Sequence, residues 1–576
     1  MRRAPIAEPA ISGEAGWQRC LLVAVALITA GPVAYMAVRQ PLDYDSWWHV
    51  FIAREVPWAR FWRDVYVNAH PPGFYLLLSV AAKLGSERWI YRLISVVAGV
   101  VATYLVGRIG ARVFRTPAVA PLCALAFGLS MATVVMATAV RSYMLSLALL
   151  LAGFRPYLDL IDPQRGHSAT RTRAWFVAAV IGAIVTHYSA IFFVGAAVAL
   201  PCLYAAVAPQ YRAWWKERLR RSWRHELATV LAVAAIAIGV YLAHKSRFEL
   251  PMPHVQLFFP SDAERSAGAV GGALSFMARS IADETDLFMP LPIANLPAGA
   301  RGSAATVFAL TGVGLVLMLR RRSDWVVALA PLGILTLLAT AIMGAALAGR
   351  YPFGGFLRQQ FILFPFIMLA GFALLDEVAA RLTHPRPLVI AVSAALVVKC
   401  VVQWRFMQFM PNELGAPELA QFDRFFPDAH AVYVDQFSLI PFFAVHQRGE
   451  WPPQSGLGEQ FAALPILEPG REWLVLRDMG HWNSDLSAPQ LSRDLRQLLA
   501  RTQLPFIDVF HLREGAYLLP KTPTLERAQL SESIVQTAHD EGLHIERLVL
   551  DGYNVYARVR ANPTRATAFG TPPEKS

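Results

Sequence analysis

Charged side chains are scarce. Asp, Glu, Lys and Arg make up 16% of the 576 residues while 55% are hydrophobic, whereas soluble domains carry about 25% charged residues. Mean hydropathy is +0.39, which excludes an ordinary soluble globular protein and an intrinsically disordered one. Cysteine is scarce as well. Cys20, Cys123, Cys202 and Cys400 are the only four, each inside an apolar run, so no disulfide framework holds the chain together. Glycine (37) and proline (39) are ordinary in number and no internal repeat is visible, which excludes collagen-like and low-complexity architectures. No metal-ligand spacing occurs. The acids Asp283-Glu284-Thr285-Asp286 match no ligand pattern, and neither a metal nor an organic cofactor is assigned. The net charge of +12 comes without a basic-aromatic module, so it reads as membrane anchoring and contact with anionic lipid rather than nucleic-acid binding.

What the chain has in abundance is apolar runs long enough to cross a bilayer. They lie near residues 19–38, 91–108, 117–136, 143–160, 174–188, 189–207, 226–243, 304–319, 325–348, 360–380 and 387–404, which predicts roughly eleven transmembrane helices. With Arg2 and Arg3 in the cytoplasm, every short basic loop falls on that side: Arg108/Arg112/Arg115, Arg165/Arg171/Arg173, residues 212–224, Arg320/Arg321/Arg322 and Arg381/Arg386. The orientation requires the short apolar run 74–84 to lie in or against the outer interface. The outer face then receives segment 39–90, a long loop at 244–303, the connection 349–360 and everything after residue 404.

Near residue 405 the composition turns soluble. Short β-rich runs at 431–434, 473–476 and 506–510, and a hairpin signal at Asp551-Gly552, predict a small α/β domain. The expected fold is therefore a polytopic α-helical membrane domain over 1–404 followed by an outer-side α/β domain over 405–576. For a bacterium this means the inner membrane, with the N-terminus cytoplasmic and the C-terminal domain periplasmic.

The first outer segment carries Asp43-Tyr44-Asp45-Ser46-Trp47-Trp48-His49 and then His70-Pro71-Pro72-Gly73-Phe74-Tyr75. A carboxylate among interfacial tryptophans is partly desolvated, which suits a general base; the same residues also read as ordinary loop acids beside an aromatic belt. His70 before a proline pair marks a helix entry. Arg141 and Tyr143 open the fourth run, His187-Tyr188 fills a tight turn, and Arg358 precedes the tenth run. Arginines at helix mouths serve either as headgroup anchors or as phosphate ligands.

Taken together, an acid after the first span, His70-Pro71-Pro72 with Tyr75, the stretch 88–99, Arg141-Ser142-Tyr143, Thr186-His187-Tyr188 and Arg358 resemble the GT-C membrane glycosyltransferases, over roughly residues 15–400. Within them the chain is most similar to the protein O-mannosyltransferase-like and aminoarabinose transferase-like group. Asp45-Ser46 departs from that group's usual Asp-Glu, and Gly73 replaces a usual large apolar residue. The base therefore stays open between Asp45 and Asp43. The resemblance implies transfer of one sugar, with inversion, from a polyprenyl-phosphate donor to a lipid, glycan or protein acceptor at the outer face. His70, Tyr75, Arg141, Tyr143, His187, Tyr188 and Arg358 would bind substrate. A phosphate leaving group needs no acid, so a single base suffices, with arginines taking up the developing charge. A transporter or flippase is the alternative, and a catalytically dead scaffold a third.

Overall fold

In a computed structural model, the residues described are 11–39, 42, 44–54, 58–67, 70–85, 88–164, 170–245, 271–272, 275–276, 312, 324–348, 351, 357–413, 431–434, 461–468, 471–478, 495–496, 499–500, 506–512, 535–536, 538–540, 542–551 and 554–561. The chain divides into two compact units, Met1–Ala37 with Glu55–Trp404, and Val38–Arg54 with Arg405–Ser576.

The first unit is helical. Its elements in order are α1 (Ile11–Arg39), α3 (Trp58–Val67), α4 (Pro72–Ala81), α5 (Arg88–Val113), α6 (Val119–Gly128), α7 (Met131–Thr138), α8 (Ser142–Ile161), α9 (Thr170–Thr186), α10 (Ala190–Val207), α11 (Pro209–Lys245), α12 (Trp325–Leu347), α13 (Leu357–Gln360), α14 (Phe364–Ala379) and α15 (Arg386–Glu413); α2 (Tyr44–Arg54) belongs to the second unit. Seven helices among the described residues are long and apolar enough to cross a membrane, or eight if the bent pair α6–α7 is one span. The chain is a polytopic membrane protein. Eleven spans were expected; the run at 304–319 lies outside the described residues, α9 has 17 residues, and α15 is apolar over only part of its length.

The expected span at 117–136 is broken. α6 and α7 meet at 54° because Ser130 starts a new helix: its Oγ accepts from the Thr133 N–H at 3.1 Å while donating to the Phe127 carbonyl at 2.7 Å. α8 is the most enclosed span, 67% buried over its apolar window, and α11 the least, at 17%. Exposed aliphatic side chains such as Leu27, Ile28, Val97, Leu231 and Leu242 form the face a lipid tail would cover.

The expected short helix at 74–84 is α4, and it packs against α5 and α9. Gly73 permits this. A Cβ at that position would stand 2.5 Å from the Val185 carbonyl oxygen, so a side chain would push the start of α4 off the end of α9.

The second unit contains a six-stranded sheet of order β2-β3-β1-β4-β6-β5, with β1 Ala431–Val434, β2 Phe461–Glu468, β3 Arg471–Asp478, β4 Ile507–Leu512, β5 Leu543–Asp551 and β6 Asn554–Ala561. β1 runs parallel to both β3 and β4; the outer pairs are antiparallel. The predicted hairpin is β5–β6, closed by Asp551 opposite Asn554.

Candidate functional site

The site is built where α4, α8, α9 and α13 begin or end. α4 starts at Pro72, with Pro71 extended (φ −61°, ψ 158°), and this fixes His70 just outside the helix. α8 starts after Arg141, which is also extended (φ −147°, ψ 156°), so Tyr143 lies in the first turn. α9 stops at Thr186, whose Oγ donates to the Ala183 carbonyl at 2.8 Å, and His187 begins the turn into α10.

Three rings meet there. His187 lies 4.4 Å from Tyr143 and 5.2 Å from His70, and His70 lies 5.7 Å from Tyr143, all between centroids. The tautomer of His187 follows from its partners. The Ser189 N–H donates to His187 Nδ1 at 3.1 Å and the Ser189 hydroxyl lies 2.7 Å from the same atom, so Nδ1 is the bare acceptor and the proton sits on Nε2. Burial pushes the His187 pKa down to about 3, which keeps the ring neutral. The ring thus offers an uncharged N–H donor beside Tyr143.

Tyr143 also lines a small cleft with Ser146, Ser189 and Arg358, walled by Leu147, Leu150, Phe361 and Ile362. Arg358, half-buried on α13, brings a guanidinium to a cleft whose walls are aliphatic and aromatic. The cation, the hydroxyls and the apolar walls come from three separate segments: α8, the 187–189 turn and the start of the last-described spans.

The other expected residues are placed elsewhere. Arg141 is buried, its carbonyl accepting from Ser95 Oγ at 3.3 Å, and it does not line the cleft. Tyr188 turns away from His187: its hydroxyl bonds His244 Nδ1 at 2.6 Å, and burial raises its pKa. His244 Nε2 lies 3.2 Å from the Val65 carbonyl, an acceptor only, so Nε2 donates there and Tyr188 donates to Nδ1. Tyr75 is fully buried in α4 beside Phe74. Asp43 lies outside the described residues; Asp45 is in α2, and its side chain lies outside what is described.

Sequence reasoning missed two supports. Arg92, fully buried, donates to the Thr138 carbonyl at 2.6 Å and to the Ala37 carbonyl at 2.8 Å, fastening the ends of α7 and α1. Ser95, one turn on, holds the Arg141 carbonyl. Their i, i+3 spacing in an apolar helix was the available signal. Among the described residues no three His, Cys, Asp or Glu side chains gather as a metal site.

The model of one protein family, described as a family of unknown function, DUF6541, matches residues 68–403. The chain belongs to this family. No curated protein matches it. Among solved structures it is similar to ArnT from Cupriavidus metallidurans in the apo state (15% identity, 97% of this chain and 100% of that one, TM-score 0.46) and to the same enzyme bound to undecaprenyl phosphate (15%, 94% and 98%, TM-score 0.45). It is also similar to the oligosaccharyltransferase of Archaeoglobus fulgidus (12%, 85% and 67%, TM-score 0.43).

Proposed function

We propose that this DUF6541 protein is a GT-C-type membrane glycosyltransferase that moves a single sugar, with inversion, from a polyprenyl-phosphate donor to a lipid, glycan or protein acceptor at the outer face of the inner membrane. The observation that carries the reading is Arg358 in an apolar-walled cleft beside the His70–Tyr143–His187 cluster. A prenyl phosphate joins an anion to a hydrocarbon chain, and a guanidinium set in aliphatic and aromatic walls suits both halves. Uncharged donors such as His187 Nε2–H and the Tyr143 hydroxyl suit sugar oxygens. In the reaction Asp45, or Asp43, removes the proton of the acceptor hydroxyl. That oxygen attacks the anomeric carbon from the face opposite the phosphate, the bond to the phosphate oxygen breaks, and the electron pair leaves on the polyprenyl phosphate. Arg358 holds the charge that accumulates there, with Arg141 as a second candidate. Residues 1–404 supply the membrane domain and 405–576 the outer-side domain.

The test uses purified protein in nanodiscs, a panel of synthetic polyprenyl-phosphate sugars with labelled sugar, and an envelope extract as acceptor. Label should move into the extract, and Arg358→Lys should lower both donor affinity and turnover at saturating donor. Wild-type values of both in the variant place the phosphate elsewhere. In proteoliposomes, labelled donor that crosses the bilayer without ever being cleaved makes the protein a flippase.

A further inference from the structure

α11 changes character along its length. Its first half, before residue 222, is basic and aromatic, and its second half is apolar. The two are separated by a break at Ser222, which leaves the helical region (φ −129°, ψ 15°). The break is held from within. Ser222 Oγ donates to the Arg218 carbonyl at 2.9 Å, and Arg218 donates to Glu226 at 2.9 Å and to the Leu160 carbonyl at the end of α8. Glu226 also accepts from Arg173 of α9 at 2.8 Å. A partly buried charge cluster therefore fixes the kink of α11 against the first turn of α9.

Outside this clasp the surface has a definite order. Arg220, Arg221, Arg224 and Trp223 of α11 are exposed, as are Arg171 and Trp175 at the start of α9. Glu217 is the nearby acid, and it accepts from Arg220 and Arg221, so one negative charge stands against four positive ones. One turn beyond the kink, from Leu227 on, the exposed large side chains include Leu227, Val230, Leu231, Ile238 and Leu242. An exposed basic-aromatic patch that gives way to an exposed aliphatic face follows the order of a bilayer, headgroup and then hydrocarbon.

We propose that the patch formed by the kink of α11 and the first turn of α9 binds the headgroups of anionic phospholipids. Planar guanidinium groups pair with phosphodiester oxygens through parallel hydrogen bonds, indoles sit at headgroup depth, and the partly buried Arg173–Glu226–Arg218 cluster orders the donors before lipid arrives. The site stands apart from the transferase reading, because Arg358 and its cleft are at the opposite end of α8.

The experiment is native mass spectrometry of the full-length protein released from nanodiscs of phosphatidylcholine mixed with phosphatidylglycerol. Wild type should retain phosphatidylglycerol in preference to phosphatidylcholine, and the triple variant R220Q/R221Q/R224Q should lose about tenfold of that preference. Equal retention of the two lipids by wild type, or an undiminished preference in the triple variant, overturns the proposal. If the triple variant does not fold, raising the salt on wild type decides: the preference should fall steeply, and an unchanged preference overturns it. Added inorganic phosphate should not displace the lipid; displacement marks a free-anion site and overturns the assignment to headgroups.

Discussion

α5 and α8 run side by side, and the described partners of arginine differ at their two ends. At the far end Arg112 pairs with Asp159 at 3.3 Å and with Asp162, Arg155 pairs with Asp159 at 2.7 Å, and the buried Asp376 accepts the Arg115 and Thr116 N–H groups at 2.9 and 2.7 Å. At the near end the described partners of Arg92 are the carbonyl oxygens of Ala37 and Thr138. At the far end carboxylates hold arginines and backbone N–H groups, and at the near end carbonyl oxygens orient the Arg92 guanidinium. The near end is where the Tyr143–Arg358 cleft opens.

Loss of the proposed base and loss of a far-end carboxylate should fail in different ways. Asp45→Asn should lower transfer by about 10²–10⁴-fold with protein levels unchanged, the usual cost of losing a general base. Near wild-type transfer by the single Asp45 and Asp43 variants and by the double variant removes the base assignment. Gly73→Val should come next. Its Cβ meets the Val185 carbonyl, so α4 must shift, carrying His70 away from His187, and a misplacement on the order of 1 Å costs about 10²-fold in rate. Transfer kinetics together with a crosslink between positions 70 and 187 would read the separation directly. Asp376→Asn should do the reverse. Losing a buried carboxylate that accepts two backbone N–H groups should cost about 1.5–3 kcal/mol of stability, seen as faster thermal inactivation, while transfer per folded molecule stays the same.

The spans were legible because each is an uninterrupted apolar run, and the hairpin because Asp551-Gly552 suits a two-residue turn. The break at Gly128-Leu129-Ser130 was written in the chain as a small residue followed by a capping serine, yet continuous hydrophobicity hid it. β2 escaped because Pro465 disfavours a strand interior; it is tolerated since β2 is an edge strand paired to β3 alone. In the site, His70, Tyr143, His187 and Arg358 were visible as polar residues at helix mouths. Which of them share a cleft was not, because that depends on how helices distant in sequence pack. Tyr188 shows the limit: adjacent to His187 in sequence, it is committed to His244, 56 residues away. Gly73, a departure from the pattern of the group the sequence resembles, fits the close approach of α4 to α9.

The smallest expected effect tests whether the near end depends on a neutral imidazole. His187 lies in the turn outside α9 and α10, and its pKa is pushed from 6.5 down to about 3 by burial. Between these values the unfolded chain binds a proton that the folded chain refuses. The stability linked to this group is therefore fully present above about pH 6.5, declines as pH falls, and levels off below about pH 3. At about pH 5.5 the loss amounts to about 1.4 kcal/mol, a figure that requires only that the folded pKa lie well below 5.5. Thermal inactivation of wild type and His187→Gln should be compared across this range. The two should differ in their pH slopes below 6.5, with wild type losing stability faster. The pH profile of wild-type transfer should carry no inflection from this ring near 6.5, because the Nε2–H donor persists throughout. Parallel stability slopes for the two proteins would mean that His187 is hydrated and charges normally, and the neutral donor beside Tyr143 would then have to be given up.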